Sequence, residues 1–212
     1  MDALDQLAAP AAGLLDRVDA VLAAAGAPAD HPVWPLLRRL GVLPSDALGT
    51  IMSLRPAPPA AVGPVRELIG AYEAARAAVS EGGSWEGAAA QVFAAHRGAL
   101  SDHLVGLTGR TATLEAYGEA VADWVRQTRV ELAGELATIL RSAEAVTVVT
   151  EPGGPAAPAA AAGIAARVLD VVDEAYDRAE SLMNQWAGEL HELPYRPPDP
   201  GAPALDLTTR LA

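Results

Sequence analysis

Apolar residues recur every three or four positions along most of this chain, and prolines and glycines cut the pattern into segments. Between residues 2 and about 25, Leu4, Leu7, Ala11, Leu14, Leu15, Val18, Val21 and Leu22 share one stripe, while Asp2, Asp5, Asp16 and Asp19 lie mostly off it. That spacing predicts an amphipathic helix. Pro10 removes a backbone donor from its interior and predicts a bend there. Gly26-Ala27-Pro28 ends the segment.

From residue 27 to 59 the chain is punctuated by Pro28, Pro32, Pro35, Pro44, Pro56, Pro58 and Pro59. Two short helices fit between them, Pro35 to Leu40 and Ser45 to Leu54, with Ser45 as N-cap. They predict a compact lobe around Trp34, Leu37, Leu40, Val42, Leu43, Leu48, Ile51 and Met52, the alternative being a loosely ordered connector.

Pro59 to Ser80 carries a near-heptad seam, Val62, Val65, Leu68, Ile69, Tyr72, Ala75 and Val79, stopped by Gly82-Gly83. The next helix starts near Ser84 to Glu86 and meets no proline until Pro152, so a single rod of about 90 Å is expected at the standard rise. Its ladder is Val92, Phe93, Leu100, Leu104, Leu107, Leu114, Tyr117, Val121, Trp124, Val125, Leu132, Leu136, Ile139 and Leu140, with Gly106 and Gly109 as the place for a kink. Glu151-Pro152-Gly153-Gly154-Pro155 is a second breaker. A last helix then runs to about Leu193 on Ile164, Val168, Val171, Val172, Ala175, Ala179, Leu182, Met183, Trp186 and Leu190. Pro197, Pro198, Pro200 and Pro203 make the tail extended.

The pattern therefore predicts an all-α, elongated helical bundle built on an antiparallel helical hairpin with its turn at Trp85-Glu86-Gly87. Residues 1-58 form an N-terminal helix and proline-rich lobe, and residues 59-150 the hairpin. Residues 151-193 supply a long helix packing on the bundle, and residues 194-212 a proline-rich tail.

Composition reinforces the helical expectation. Hydrophobic residues make up 51% of the chain but aromatics only 4%, because alanine, the best helix former, supplies most of that fraction. The 15 basic residues are all arginine, against 27 acids, for a net charge of -12. That balance argues against binding nucleic-acid backbone or an anionic membrane surface. It also disfavours an exchangeable lipid-surface helix protein, which wants a basic polar face.

There is no cysteine, so disulfides and thiolate metal sites are excluded. Met1-Asp2-Ala3-Leu4-Asp5 carries acids where a signal peptide needs basic residues, and no apolar run approaches the ~18 residues of a membrane span. Neither a general secretory leader nor stable membrane insertion is expected.

Candidate chemistry is sparse. His96 and His103 lie seven apart on one helix, about 10 Å along its axis, which is wrong for a helical zinc pair; on the seam they would titrate near neutrality and loosen the packing in acid. The acids Asp173-Glu174 and Glu131 with Glu135 have helical spacing but no matched base or phosphate loop, and read as a solvated face. No catalytic residue, cofactor or metal is expected.

One local motif stands out. Ser84-Trp85-Glu86-Gly87-Ala88-Ala89 followed by Phe93 sits between two amphipathic segments, and the stretch from about Pro59 to Leu140 resembles the Trp-x-Gly helical-hairpin family of type VII secretion substrates. Typical members are about half this length and lack the N-terminal helix and the C-terminal extension, so the chain resembles an enlarged relative.

The resemblance implies a bipartite export signal in which Trp85 and Gly87 are joined by Tyr-x-x-x-Asp/Glu. Tyr176 and Glu180 meet that spacing on a predicted helix, where four residues put both side chains on one face. Tyr195 and Asp199 meet it in the proline-rich tail, where they would not align. The partners implied are a second helical hairpin, from the same chain or a small Trp-x-Gly protein, and a secretion ATPase. The destination implied is outside the cell or in the envelope by a signal-peptide-independent route. The alternative is a cytoplasmic helical adaptor, not itself exported, in which Trp85 only plugs the bundle.

Overall fold

The computed structural model describes residues 2–56, 63–80 and 86–189. Within them the chain is all-α, a helical bundle of seven helices with no strand: α1 Ala3–Ala25, α2 Val33–Leu40, α3 Pro44–Ser53, α4 Gly63–Ser80, α5 Ala88–Ile139, α6 Ala143–Thr150 and α7 Ala157–Ala187. Residues 81–85, with Trp85, and the tail, with Tyr195 and Asp199, lie outside the described residues.

Contacts divide the chain into two units, Met1–Ala57 with Ala120–Asn184, and Pro58–Glu119 with Gln185–Ala212. One division falls at Ala57/Pro58, within the proline punctuation, but the others fall inside α5 and α7, at no glycine-proline breaker. Sequence punctuation marks where helices stop, whereas a unit is defined by which faces are buried together.

The first unit has a continuous apolar core. Leu4, Leu15 and Val18 of α1 join Val33 of α2, Leu48 and Ile51 of α3, Leu132, Leu136 and Ile139 of α5, Val148 of α6, and Ile164, Val168 and Leu169 of α7. On α7 the buried alanines Ala157, Ala160, Ala161, Ala162 and Ala165 continue that face. Side chains this small let neighbouring backbones approach closely without losing rotamer entropy.

Trp34, Leu37, Leu40, Val42 and Met52 are partly buried against the core, so the proline-rich segment through residue 56 is an ordered lobe and not a loose connector. His31 Nδ1 accepts from the Val33 amide at 3.2 Å, and Trp34 Nε1 donates to the Pro28 carbonyl at 2.9 Å, fixing the entry to α2.

Helix α1 runs through Pro10 as one helix, as its stripe predicts, because a capping box at its start and a buried stripe on both sides outweigh one lost backbone bond. Two local expectations are corrected. The proline-free rod expected after residue 86 ends at Ile139, and Ser142 starts α6 by accepting from the Ala145 amide at 3.1 Å. The N-cap of α3 is Leu43 with Pro44 following, not Ser45, and Leu43 has no side chain able to cap.

The missing caps of α3 come from other helices. Asp19 on α1, 9% exposed, accepts from the Ser45 amide at 3.2 Å at the N-terminal end. Arg129 on α5, 2% exposed on its side chain, closes the other end, donating to the carbonyls of Ile51 and Leu54, both at 3.1 Å. Its remaining donors reach Asp2 Oδ2 at 2.7 Å and Asp5 Oδ1 at 2.8 Å, in the first turn of α1. Negative charge at a helix N-terminus and positive charge at its C-terminus both oppose the partial charges there.

These acids titrate in opposite senses. The Arg129 hydrogen bond and the Asp5 amide lower Asp2 to about 2. Burial raises Asp19, with its Ser45 hydrogen bonds opposing the shift and the nearby Asp46 and Asp16 adding to it. Asp2 therefore stabilises the fold above the ordinary carboxylate range and loses that contribution as pH falls toward 2, whereas ionised Asp19 disfavours the fold at neutral pH and is relieved in acid.

In denaturant titrations, Arg129→Met is expected to cost about 3 kcal/mol by orphaning the α3 carbonyls and unpairing the acids. In pH-dependent unfolding, Asp2→Asn flattens the loss of stability between pH 4 and 2, while Asp19→Asn gains stability at pH 7 and converges on wild type near pH 3. A parallel response of the two variants would contradict the assignment.

Candidate recognition surface

Helix α7 buries one face through Val168, Val172 and Ala175 and turns another outward. On that outward side Tyr176 is 58% exposed, and Glu180, one turn later, is also exposed. Tyr176 therefore does not continue the apolar stripe. Met183, expected on that stripe, is likewise exposed at 56%.

The helix beneath these residues is clamped by arginines. Arg39 of α2 donates to Asp173 Oδ2 at 2.6 Å and pairs also with Asp177, bracketing Tyr176. Hydrogen bonding to Asp177 raises the Arg39 guanidinium further, with Asp173, Asp177 and Glu180 adding to the shift electrostatically. On the inner side Arg178 pairs with Glu131 of α5, Arg167 with Glu135 at 2.5 Å, and Trp124 Nε1 donates to the Ala175 carbonyl at 3.0 Å.

The acid pairs expected as a solvated face are thus partly corrected: Glu131, Glu135 and Asp173 are half-buried cross-helix partners of arginine. Among the described residues no three side chains converge as metal ligands.

The other half of the expected motif is described only at Gly87. Its φ is +106°, a conformation that side-chain-bearing residues rarely adopt, and its carbonyl accepts from Gln91 in the first turn of α5. A glycine is therefore required at the start of that helix on backbone grounds alone.

In the second unit α4 has no buried residue, and Leu68, Phe93, Leu100, Val105 and Leu114 are all more than a third exposed. Arg66 of α4 pairs with Glu115 of α5. Glu115 lies about 16 Å further along α5 than the position a symmetric reversal at Trp85 would set opposite Arg66. His96 is exposed and does not face a seam, and His103 is half-buried. Trp186 stacks on Tyr117 in a tilted arrangement, ring centroids 5.9 Å apart.

Sequence reasoning passed over Arg39 and Arg129 and set Asp19 among the acids mostly off the apolar stripe, although for Arg129 and Asp19 a signal existed. Arg129 stands four residues after Val125 and three before Leu132, and Asp19 four after Leu15 and three before Leu22. A charge on a buried stripe position is the mark of an internal partner. No such signal marks Arg39, whose partners lie more than 130 residues away.

Substituting Gly87 by Ala is expected to lower the thermal midpoint through backbone strain, and Gly98→Ala, at an α5 glycine with open space around it, to leave it unchanged or raise it. Equal effects would remove the requirement for glycine at position 87. Comparison with known proteins returns no match: no family model, no curated protein and no solved structure aligns significantly with the chain.

Proposed function

We propose that this protein is a type VII secretion substrate or secretion-associated helical protein that works by protein–protein recognition. The observation that carries the proposal is the exposed pair Tyr176 and Glu180, one turn apart on the outward face of α7, on a helix held in register by Arg39. Their spacing is that of the Tyr-x-x-x-Glu element, and Gly87 with Trp85 stands where the Trp-x-Gly element belongs. Recognition by a secretion ATPase then needs no chemistry from this chain, only a rigid helical face presenting an aromatic and an acid together.

The uncovered apolar side chains of the second unit support the partner side of the proposal. Leu68 on α4 and Leu100, Val105 and Leu114 on α5 suit a second helical hairpin, either another copy or a small Trp-x-Gly protein. The same surface equally suits a cytoplasmic helical adaptor that is not exported. Among the described residues no helix is long and apolar enough to cross a membrane.

In the native host, wild type is expected outside the cell, with Tyr176→Ala and Glu180→Gln each reducing the exported fraction at least tenfold while intracellular levels hold. Strict retention of wild type overturns export and leaves the adaptor.

A further inference from the structure

Helices α1 and α6 of the first unit enclose an open groove of about 450 Å³, within the size range of small-molecule sites. Ala9, Pro10 and Gly13 on α1 keep one wall low, and Val146 and Val149 on α6, 60% and 44% exposed, form the other. Among the described residues that line it, Arg17 supplies the only charge. From Ala9 to Arg17 the wall runs about 12 Å at the helical rise, the reach of a medium-length acyl chain.

The electrostatics single out Arg17. Every other arginine of this unit meets a carboxylate or a backbone carbonyl. Among the described residues Arg17 has neither, although the chain carries 27 acids to 15 arginines. An unneutralised cation at the edge of an apolar groove complements a ligand with an apolar body and one anionic head. We propose that this groove binds a single-chain anionic amphiphile, the chain lying between α1 and α6 and the carboxylate pairing with the Arg17 guanidinium. Burying the chain removes apolar surface from water on both sides, and the charge-assisted hydrogen bond fixes its direction.

Decanoate and its neutral counterpart 1-decanol, titrated into the full chain and followed by calorimetry and methyl NMR, test this. Saturable one-to-one binding of decanoate is expected, with Arg17→Gln weakening decanoate at least fivefold and decanol less than twofold. Gly13→Leu, whose Cβ meets nothing within 4 Å, fills the groove and weakens both at least tenfold. Val149→Gln, at an already exposed position, replaces it should the thermal midpoint of Gly13→Leu fall. Absence of saturable binding, decanoate affinity indifferent to Arg17→Gln, or both ligands indifferent to groove filling each overturns the proposal.

Discussion

One guanidinium organises the first unit. Arg129 sits almost fully inside the protein, and each of its hydrogen-bonding directions is used, toward the first turn of α1 and toward the last carbonyls of α3. Burying a cation costs far more than a surface ion pair returns, and the cost is tolerable only when geometry satisfies every donor. Here three distant parts of the chain must be in place together for that to happen. Asp19 completes the arrangement at the opposite end of α3, so a ten-residue helix with no side-chain cap of its own is held at both ends by its neighbours.

The same logic, with lower stakes, orders the outer face of α7. Arg39, Arg167 and Arg178 tie it to α2 and α5 through partly exposed ion pairs, each weak singly but converging on one helix. The inner turns of α7 are buried alanine and branched aliphatics, so the helix cannot rotate without exposing them. Tyr176 and Glu180 are thereby left outward as a consequence of what the rest of α7 must bury.

The second unit is of a different kind. Its α4 has no fully buried residue, and Leu68 of α4 with Phe93, Leu100, Val105 and Leu114 of α5 are more than a third exposed, although Leu104 and Thr111 of α5 are buried. Further along α5, by contrast, Val125, Leu132, Leu136 and Ile139 are buried. One helix thus passes from a stretch with several exposed apolar side chains to one whose apolar side chains are buried within the chain.

Read alone, the sequence determined the all-α class, most helix limits and much of the core, because three-four periodicity and glycine-proline stops are local and need no partner to be legible. Leu132, Leu136, Ile139, Ile164, Val168 and Val172 were all visible as stripe positions. It determined too that Tyr176 and Glu180 share a face, since helical spacing alone fixes that. Only the tertiary structure decided which way that face points, that α6 breaks away at Ser142, and that Arg129 and Asp19 belong inside. For the face and for the buried charges the physical reason is the same. A charge is stable where its partner is, and the partners of Asp19, Arg129 and Arg39 come from other helices, 26 to 138 residues away, whose approach no local pattern encodes.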